Sequence, residues 1–359
     1  MQTTVRRGSA RPQYPHKKKK SSVGRNLVLF GVLLFLVAAV LVITLIQSGN
    51  EKTKDDYVSK NKNTVMLSKD TTSPEDAVNE KFPVYAEYTD ESKALSIKSD
   101  YGILIDLNTN KVLASKNGDA KIYPASMTKV MTLIVAYENA KSLDDTFTFT
   151  SELLDPLYAA NASQAGFASG ESVKIRDMLY GCALPSGADA TIGLACYVAG
   201  SEENFADLMN SKVQELGLKN THFVTVSGLH DDNHYSTCHD IALILEYAIS
   251  DPYLRSILST YKYTTSPTEK HPEGITLTST LYSRMAGDEA KGLFVQGGKT
   301  GYTDEALNCL ATFAARCTEE MASSVRPEYL LVTAHASGEY TPVHDAISAY
   351  GTFCGEEEG

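Results

Sequence analysis

Two absences organise the first 46 residues: residues 1–26 contain no Asp or Glu, and residues 27–46 contain no charged side chain. A third concerns the whole chain. It holds 12 Pro and 24 Gly in 359 residues, with no Gly-x-y period and no internal repeat, which excludes a collagen-like or low-complexity protein. The six cysteines (182, 196, 238, 309, 317 and 354) match no metal-binding or disulfide framework by spacing. Cys182 and Cys309 fall in apolar helix and strand contexts and are expected as buried free thiols. What is present is 43% apolar and 21% charged residues, enough for a core, in a length that allows one large domain or two ordinary ones.

The net charge of −11 divides by region. Eight of the 33 Lys and Arg residues lie in the first 26, whereas all 44 Asp and Glu residues come later. Residues 1–26 therefore read as a basic tail. The next twenty, 27–46, would rise about 30 Å as a helix, the thickness of a bilayer's hydrocarbon core. A cleaved signal peptide would have a shorter apolar run ending at a small-x-small site, and this run passes through Thr-Leu-Ile-Gln without one. The expectation is an uncleaved single-pass anchor. Seven Lys and Arg precede it closely (residues 7–26) against four after it (residues 47–66), which puts the N-terminus in the cytoplasm and the rest outside. Beside such a span the basic tail is a topology signal and a contact for anionic lipid, and no nucleic-acid partner is expected. Residues 47–97, rich in Lys, Asp, Glu, Asn, Ser and Thr, read as a solvated stalk. Residues 98–353 read as one globular domain, and 354–359 as an acidic tail.

Within the domain, Tyr101–Leu107 and Lys111–Ser115 predict a hairpin around Asn108-Thr-Asn110. Helices are predicted over Ser126–Asn139, Ser172–Cys182, Asp189–Val198, Glu202–Leu216, Ile241–Ile249 and Pro342–Tyr350. Thr237 with Asp240 has the spacing of a capping box before the fifth of these. Strands are predicted at Phe294–Val295, Leu307–Phe313 and Tyr329–Thr333. Strands at both ends with helices between them imply an α+β domain whose sheet joins distant parts of the chain.

Three short motifs carry chemistry. In Ser126-Met-Thr-Lys129, positions i and i+3 share a helical face, so the amine can reach the hydroxyl. A serine becomes a nucleophile when a neighbouring base takes its proton, and a lysine is such a base once its pKa is lowered. Alone, the pattern is equally that of an N-cap with an exposed lysine, and Ser59-Lys-Asn-Lys62 has the same spacing in the expected stalk. In Leu184-Pro-Ser186-Gly-Ala-Asp-Ala190, a loop serine can relay protons or simply cap the next helix. In Gly297-Gly-Lys299-Thr300-Gly301, a cation and a hydroxyl suit a carboxylate, and the glycines allow close backbone approach. A phosphate loop is disfavoured there because Leu293 stands where the first Gly of the full fingerprint is required. His222, His230, His234 and His239, among Asp231, Asp232, Cys238 and Asp240, fit neither H-E-x-x-H nor a Cys/His finger. They are expected on a surface loop and a helix start, with no metal.

Taken together and in this order, the motifs resemble those of the low-molecular-weight penicillin-binding proteins, serine-type D-alanyl-D-alanine carboxypeptidases of the β-lactamase/transpeptidase-like superfamily. The resemblance covers roughly residues 98–353 and extends to Leu216-Gly-Leu-Lys-Asn-Thr-His-Phe, Ser227-Gly-Leu, His234-Tyr-Ser-Thr and Lys299-Thr-Gly-Tyr-Thr-Asp-Glu-Ala. It implies an antiparallel sheet flanked by helices, with a helical subdomain. It implies Ser126 as the acylated nucleophile, Lys129 as its base, Ser186 as proton relay, and Lys299, Thr300 and Gly301 as the substrate-binding strand. Backbone N–H groups of Ser126 and Tyr302 would form the oxyanion hole, with no cofactor. The implied partners are peptidoglycan stem peptides ending in D-Ala-D-Ala, and β-lactams as covalent inhibitors, at a bacterial cell membrane. The second motif departs from the family's usual Ser-x-Asn, since Ala188 occupies the third position. Many relatives carry an extra β-rich domain and a C-terminal anchor; here the N-terminal span is expected to replace that anchor. A transpeptidase or endopeptidase would use the same acylation, and a weakened wall-binding or β-lactam-sensing protein would keep only part of it. A β-lactamase would need a Glu-x-x-Leu-Asn element, and Glu215-Leu-Gly-Leu-Lys-Asn220 is one residue out of register.

Overall fold

Alternate residues of the central strands face opposite ways, and here both ways lead into apolar surroundings. On strand β2 (Tyr101–Asp106), Ile103 and Ile105 join one core cluster while Leu104 joins another. The same alternation puts Leu330 and Val332 of the last strand in the first cluster and Leu331 in the second. Strands buried on both faces have near-continuous apolar runs, which is what these segments show. The computed structural model describes residues 82–285 and 292–354. The expected basic tail, membrane span and most of the stalk lie outside these residues, as do 355–359. No helix among the described residues is long and apolar enough to cross a membrane.

Besides β2, the sheet contains β1 (Lys93–Ala94), β3 (Lys111–Lys116), β8 (Phe294–Thr303), β9 (Leu307–Ala315) and β10 (Tyr329–Ala336), in the order β1-β3-β2-β10-β9-β8. All pairs are antiparallel except β1 with β3, so the sheet is mixed where the resemblance implied a purely antiparallel one. Helix α1 (Lys129–Asn139) is buried without interruption from Lys129 to Ala136, as befits the centre of the helical half. Around the same core run α3 (Ile175–Ala183), α4 (Ala188–Ala199), α5 (Glu202–Glu215) and α6 (Cys238–Ser250). Helix α9 (Thr341–Phe353) covers the other face of the sheet through Val343, Ala346, Ala349 and Tyr350.

Several boundaries differ from the sequence reading for identifiable reasons. Ser172–Lys174 is strand β5, paired with β4 (Thr146–Thr148), and the helix begins only at Ile175. A second three-residue hairpin, β6 (Lys262–Thr264) with β7 (Thr276–Thr278), and the helices α2 (Ser151–Ala159), α7 (Pro252–Leu258) and α8 (Thr280–Met285) are too short to leave a periodic signal. Thr237 caps α6, accepting from Asp240 N at 2.9 Å. The reciprocal half of the box is missing because the Asp240 carboxylate is bound to the Tyr85 hydroxyl, Asn220 N and Thr221 Oγ1. That tie also corrects the stalk boundary. Residues from Phe82 onward pack on the domain: Glu87 N donates to Asn110 O, Leu95 is buried, and β1 joins the sheet edge.

Candidate active site

The start of α1 is unusual backbone. A 3₁₀ turn, Ala125–Thr128, precedes the helix, and Ala125 has a left-handed φ of 47°. Such a conformation costs a non-glycine residue about 1 kcal/mol or more and persists where surroundings enforce it. Here the enforcing contact is Gly228, whose backbone lies so close that a Cβ on it would meet Ala125 O at 1.9 Å. On the opposite side Gly301 of β8 packs against the same turn, where a Cβ would lie 3.1 Å from Ser126 N and from Pro124 O. Close approach thus requires glycine at 228, and at 301 it leaves a side chain only a tight fit. The turn leaves Ser126 half-buried and brings Lys129 Nζ to 2.9 Å from Ser126 Oγ. The amine also donates to the Ser227 carbonyl at 2.6 Å.

Ser186 lies in the loop between α3 and α4 with a φ of 64°, and it is not a helix cap; Gly187 occupies that position. Its Oγ accepts from Lys299 Nζ at 2.9 Å, and Lys299 also donates to Thr300 O at 2.9 Å. Lys299 and Thr300 sit in the middle of β8, paired with Ala311 and Leu310. The strand is much longer than Phe294–Val295 and forms an edge of the sheet. The structure therefore brings the three motifs together around a cleft of about 830 Å³, which Tyr302 and Ala188 also line.

Two lysines share this site, and neither has a carboxylate partner among the described residues. Burial disfavours the ammonium form. It brings Lys129 down to about 8, while Cys182 and Asp189 pull the other way through charge. Lys299 is driven well below the ordinary lysine range by burial and then by the charge on Lys129. An amine near neutrality beside a hydroxyl is an acid–base pair able to activate an oxygen nucleophile.

Several residues of the site carried no recognised signal in the sequence. Asp189, fully buried in the first turn of α4, accepts from the backbone N–H groups of Ala165, Gly166, Phe167 and Ala190 at 2.7–3.1 Å. It thereby holds the loop that contributes Asn161, Ala162 and Ser163 to the cleft wall. An acidic residue at a helix N-terminus was the available clue. Thr280 of α8 meets Thr300 Oγ1 at 2.6 Å, and Arg284, one turn on, lines the cleft while pairing with Glu339 at 3.3 Å. The histidine reading needs correction. His234 and His239 are buried, the first bonded to Thr128 and the second to Asp119. Among the described residues no group of three or more His, Cys, Asp or Glu could hold a metal ion. Cys182 and Cys309 are buried thiols, as expected.

Comparison with known proteins gives a consistent picture. The D-alanyl-D-alanine carboxypeptidase family profile (peptidase family S11) matches residues 87–326. The chain is 34% identical over 226 residues to D-alanyl-D-alanine carboxypeptidase DacF of Bacillus subtilis, covering 62% of this chain and 55% of that one. It is 35% identical over 237 residues to DacA of Escherichia coli, covering 64% and 56%. The chain thus spans a little over half the length of these curated relatives. Among solved structures, the Streptomyces K15 DD-transpeptidase superposes with a TM-score of 0.63 at 28% identity, covering 72% of this chain and 98% of that one.

Proposed function

The chain belongs to the D-alanyl-D-alanine carboxypeptidase family, and on that footing we propose that it removes the terminal D-Ala from peptidoglycan stem pentapeptides, limiting cross-linking. The observation that carries this reading is the 2.9 Å approach of a half-buried serine to a lysine held near neutrality. Ser126 Oγ attacks the penultimate D-Ala carbonyl while neutral Lys129 takes its proton. The oxyanion is received by the N–H groups of Ser126 and Tyr302, where backbone donors act without reorganisation. As the C–N bond breaks, the proton taken up by Lys129 passes through Ser186, hydrogen-bonded to Lys299, to the departing amine of D-Ala and leaves Lys129 neutral again. Thr300, Lys299 and Gly301 form the strand that holds the terminal carboxylate. Water then attacks the ester, with Lys129 again accepting the proton, and frees Ser126. β-Lactams acylate Ser126 by the same first step. No cofactor takes part.

Ala188 offers no amide to Lys129, and the Ser227 carbonyl is the amine's second partner. Residues 27–46 anchor the protein in the cell membrane with the basic tail in the cytoplasm, and the segment up to about residue 81 holds the catalytic domain outside. The K15 neighbour favours a second reading, transfer of the acyl group to an amine acceptor, because it is named a transpeptidase and is covered almost completely. A D-Ala release assay on a pentapeptide, with and without added acceptor amine, separates the two. Hydrolysis without acceptor, lost in Ser126→Ala, is the expected result. D-Ala release undiminished in Ser126→Ala refutes the assignment, and release that depends on acceptor favours the transpeptidase.

A further inference from the structure

His234 lies at the centre of the histidine group that the proposed mechanism leaves unused. It is 2% exposed, and its ring spans two separate segments of the site. Nδ1 accepts from Val224 N at 3.0 Å and from Thr225 N at 3.2 Å. A ring nitrogen that accepts carries no proton, so the imidazole hydrogen resides on Nε2. That N–H donates to Thr128 Oγ1 at 2.8 Å. Thr128 stands between Ser126 and Lys129 in the chain and is fully buried. Val224 and Thr225 lead directly to Ser227, whose carbonyl receives the Lys129 amine. The imidazole therefore ties the segment carrying the serine–lysine pair to the segment carrying that pair's backbone acceptor. Other bonds hold the second segment, from Thr132 Oγ1 to Val226 O at 2.6 Å and from Val226 N to Glu202 at 2.9 Å. Neither involves Thr128.

We propose that His234 is a positioning residue, a neutral strut protonated on Nε2 alone, which fixes the Ser126–Lys129 segment against the Ser227 carbonyl. The inference rests on the reading of Ser126 and Lys129 as nucleophile and base. Burial suits a neutral strut, since it brings the imidazole down to about 4, against an upward pull from Asp231 and with further lowering by His222, His230 and Lys129. The groups facing Lys129 are Ser126 Oγ and the Ser227 carbonyl, with Cys182, Asp189 and Lys299 acting through charge. A carbonyl acceptor favours the ammonium over the amine. When the strut is removed, the carbonyl drifts, the amine becomes less basic, and its alignment with Ser126 loosens.

The test is the rate of acylation by benzylpenicillin from pH 5.5 to 10, on the full chain and on His234→Leu, His234→Gln and Thr128→Val. Each is normalised to folded protein by circular dichroism. Leu removes all three bonds, whereas Gln keeps a donor for Thr128 and an acceptor for one N–H. In His234→Leu the plateau rate is expected to fall on the order of ten- to a hundredfold. Its midpoint should move to lower pH by about half a pH unit. Gln restores most of both effects. Thr128→Val, which leaves the imidazole in place, moves the midpoint the same way and carries the test if the Leu variant does not fold. A midpoint unmoved in every folded variant overturns the proposal, whether or not the plateau falls, because a merely structural histidine would change only the amount of competent enzyme. If the unaltered chain fails to acylate Ser126, the reading of the catalytic pair is what fails, and the strut falls with it.

Discussion

The two walls of the cleft are built by different means. The sheet wall sets Lys299, Thr300 and Gly301 by strand pairing, with β8 in register against β9 from Phe294 to Thr303 apart from one irregularity before Gly297. The helical wall has no such ladder at Ser126 and Ser186. Ser126 follows a left-handed Ala125, Ser186 is itself left-handed, and the loop at 161–167 has no regular structure. Its order comes from buried side chains that reach across to backbone: Asp189 to four N–H groups, His234 to two, and Thr132 to Val226 O. A ladder spreads its energy over many equivalent bonds, whereas a buried pin concentrates it in one residue. Removing one partner of such a pin leaves the others unsatisfied, which costs more than the bond itself contributes.

The contrast predicts where the protein is fragile. Asp189→Ala strands four backbone donors and releases the cleft loop. It should destabilise the domain by about 2–4 kcal/mol, read by urea denaturation, and slow acylation in whatever fraction remains folded. A loss below about 1 kcal/mol would mean that the pin contributes no more than an ordinary surface residue. The sheet side should respond in the opposite direction. Thr333 of β10 is fully buried, and its hydroxyl has no partner among the described residues. Thr333→Val keeps the shape and removes an unpaired polar group, so stability should stay level or rise by up to about 1 kcal/mol. Destabilisation by more than that would show that the hydroxyl is satisfied in solution.

The same division decides what could be seen in the sequence. The hairpin at Tyr101–Lys116, the later strands and the central helices were legible because long apolar runs leave a period, and the three motifs were legible because their spacing is local. The sheet wall followed almost directly from Gly297-Gly-Lys299-Thr300-Gly301. The pins did not: an acid at a helix start and the His234-Tyr-Ser-Thr string were visible, but no local pattern shows which distant backbone groups Asp189 and His234 hold. His234 was expected at the surface because its neighbours Asp231, Asp232 and Asn233 are polar, yet its ring turns inward to Thr128, 106 positions earlier. The segment from Phe82 to Ile97 was read as solvated stalk for the same reason. Its few apolar anchors, Tyr85, Ala86 and Leu95, are scattered among charges, and only the fold reveals their partners.

The central claim is that a neutral Lys129 activates Ser126. In the proposed mechanism Lys129 must lose its proton to act, and burial brings its pKa down to about 8. The most direct measurement is the pH dependence of benzylpenicillin acylation of the unaltered chain, with the adduct located by peptide mass spectrometry. The account predicts an adduct on Ser126, with a rate that rises about tenfold per pH unit below 8 and levels off above it. An adduct on another residue, or a rate indifferent to pH across that range, would contradict it.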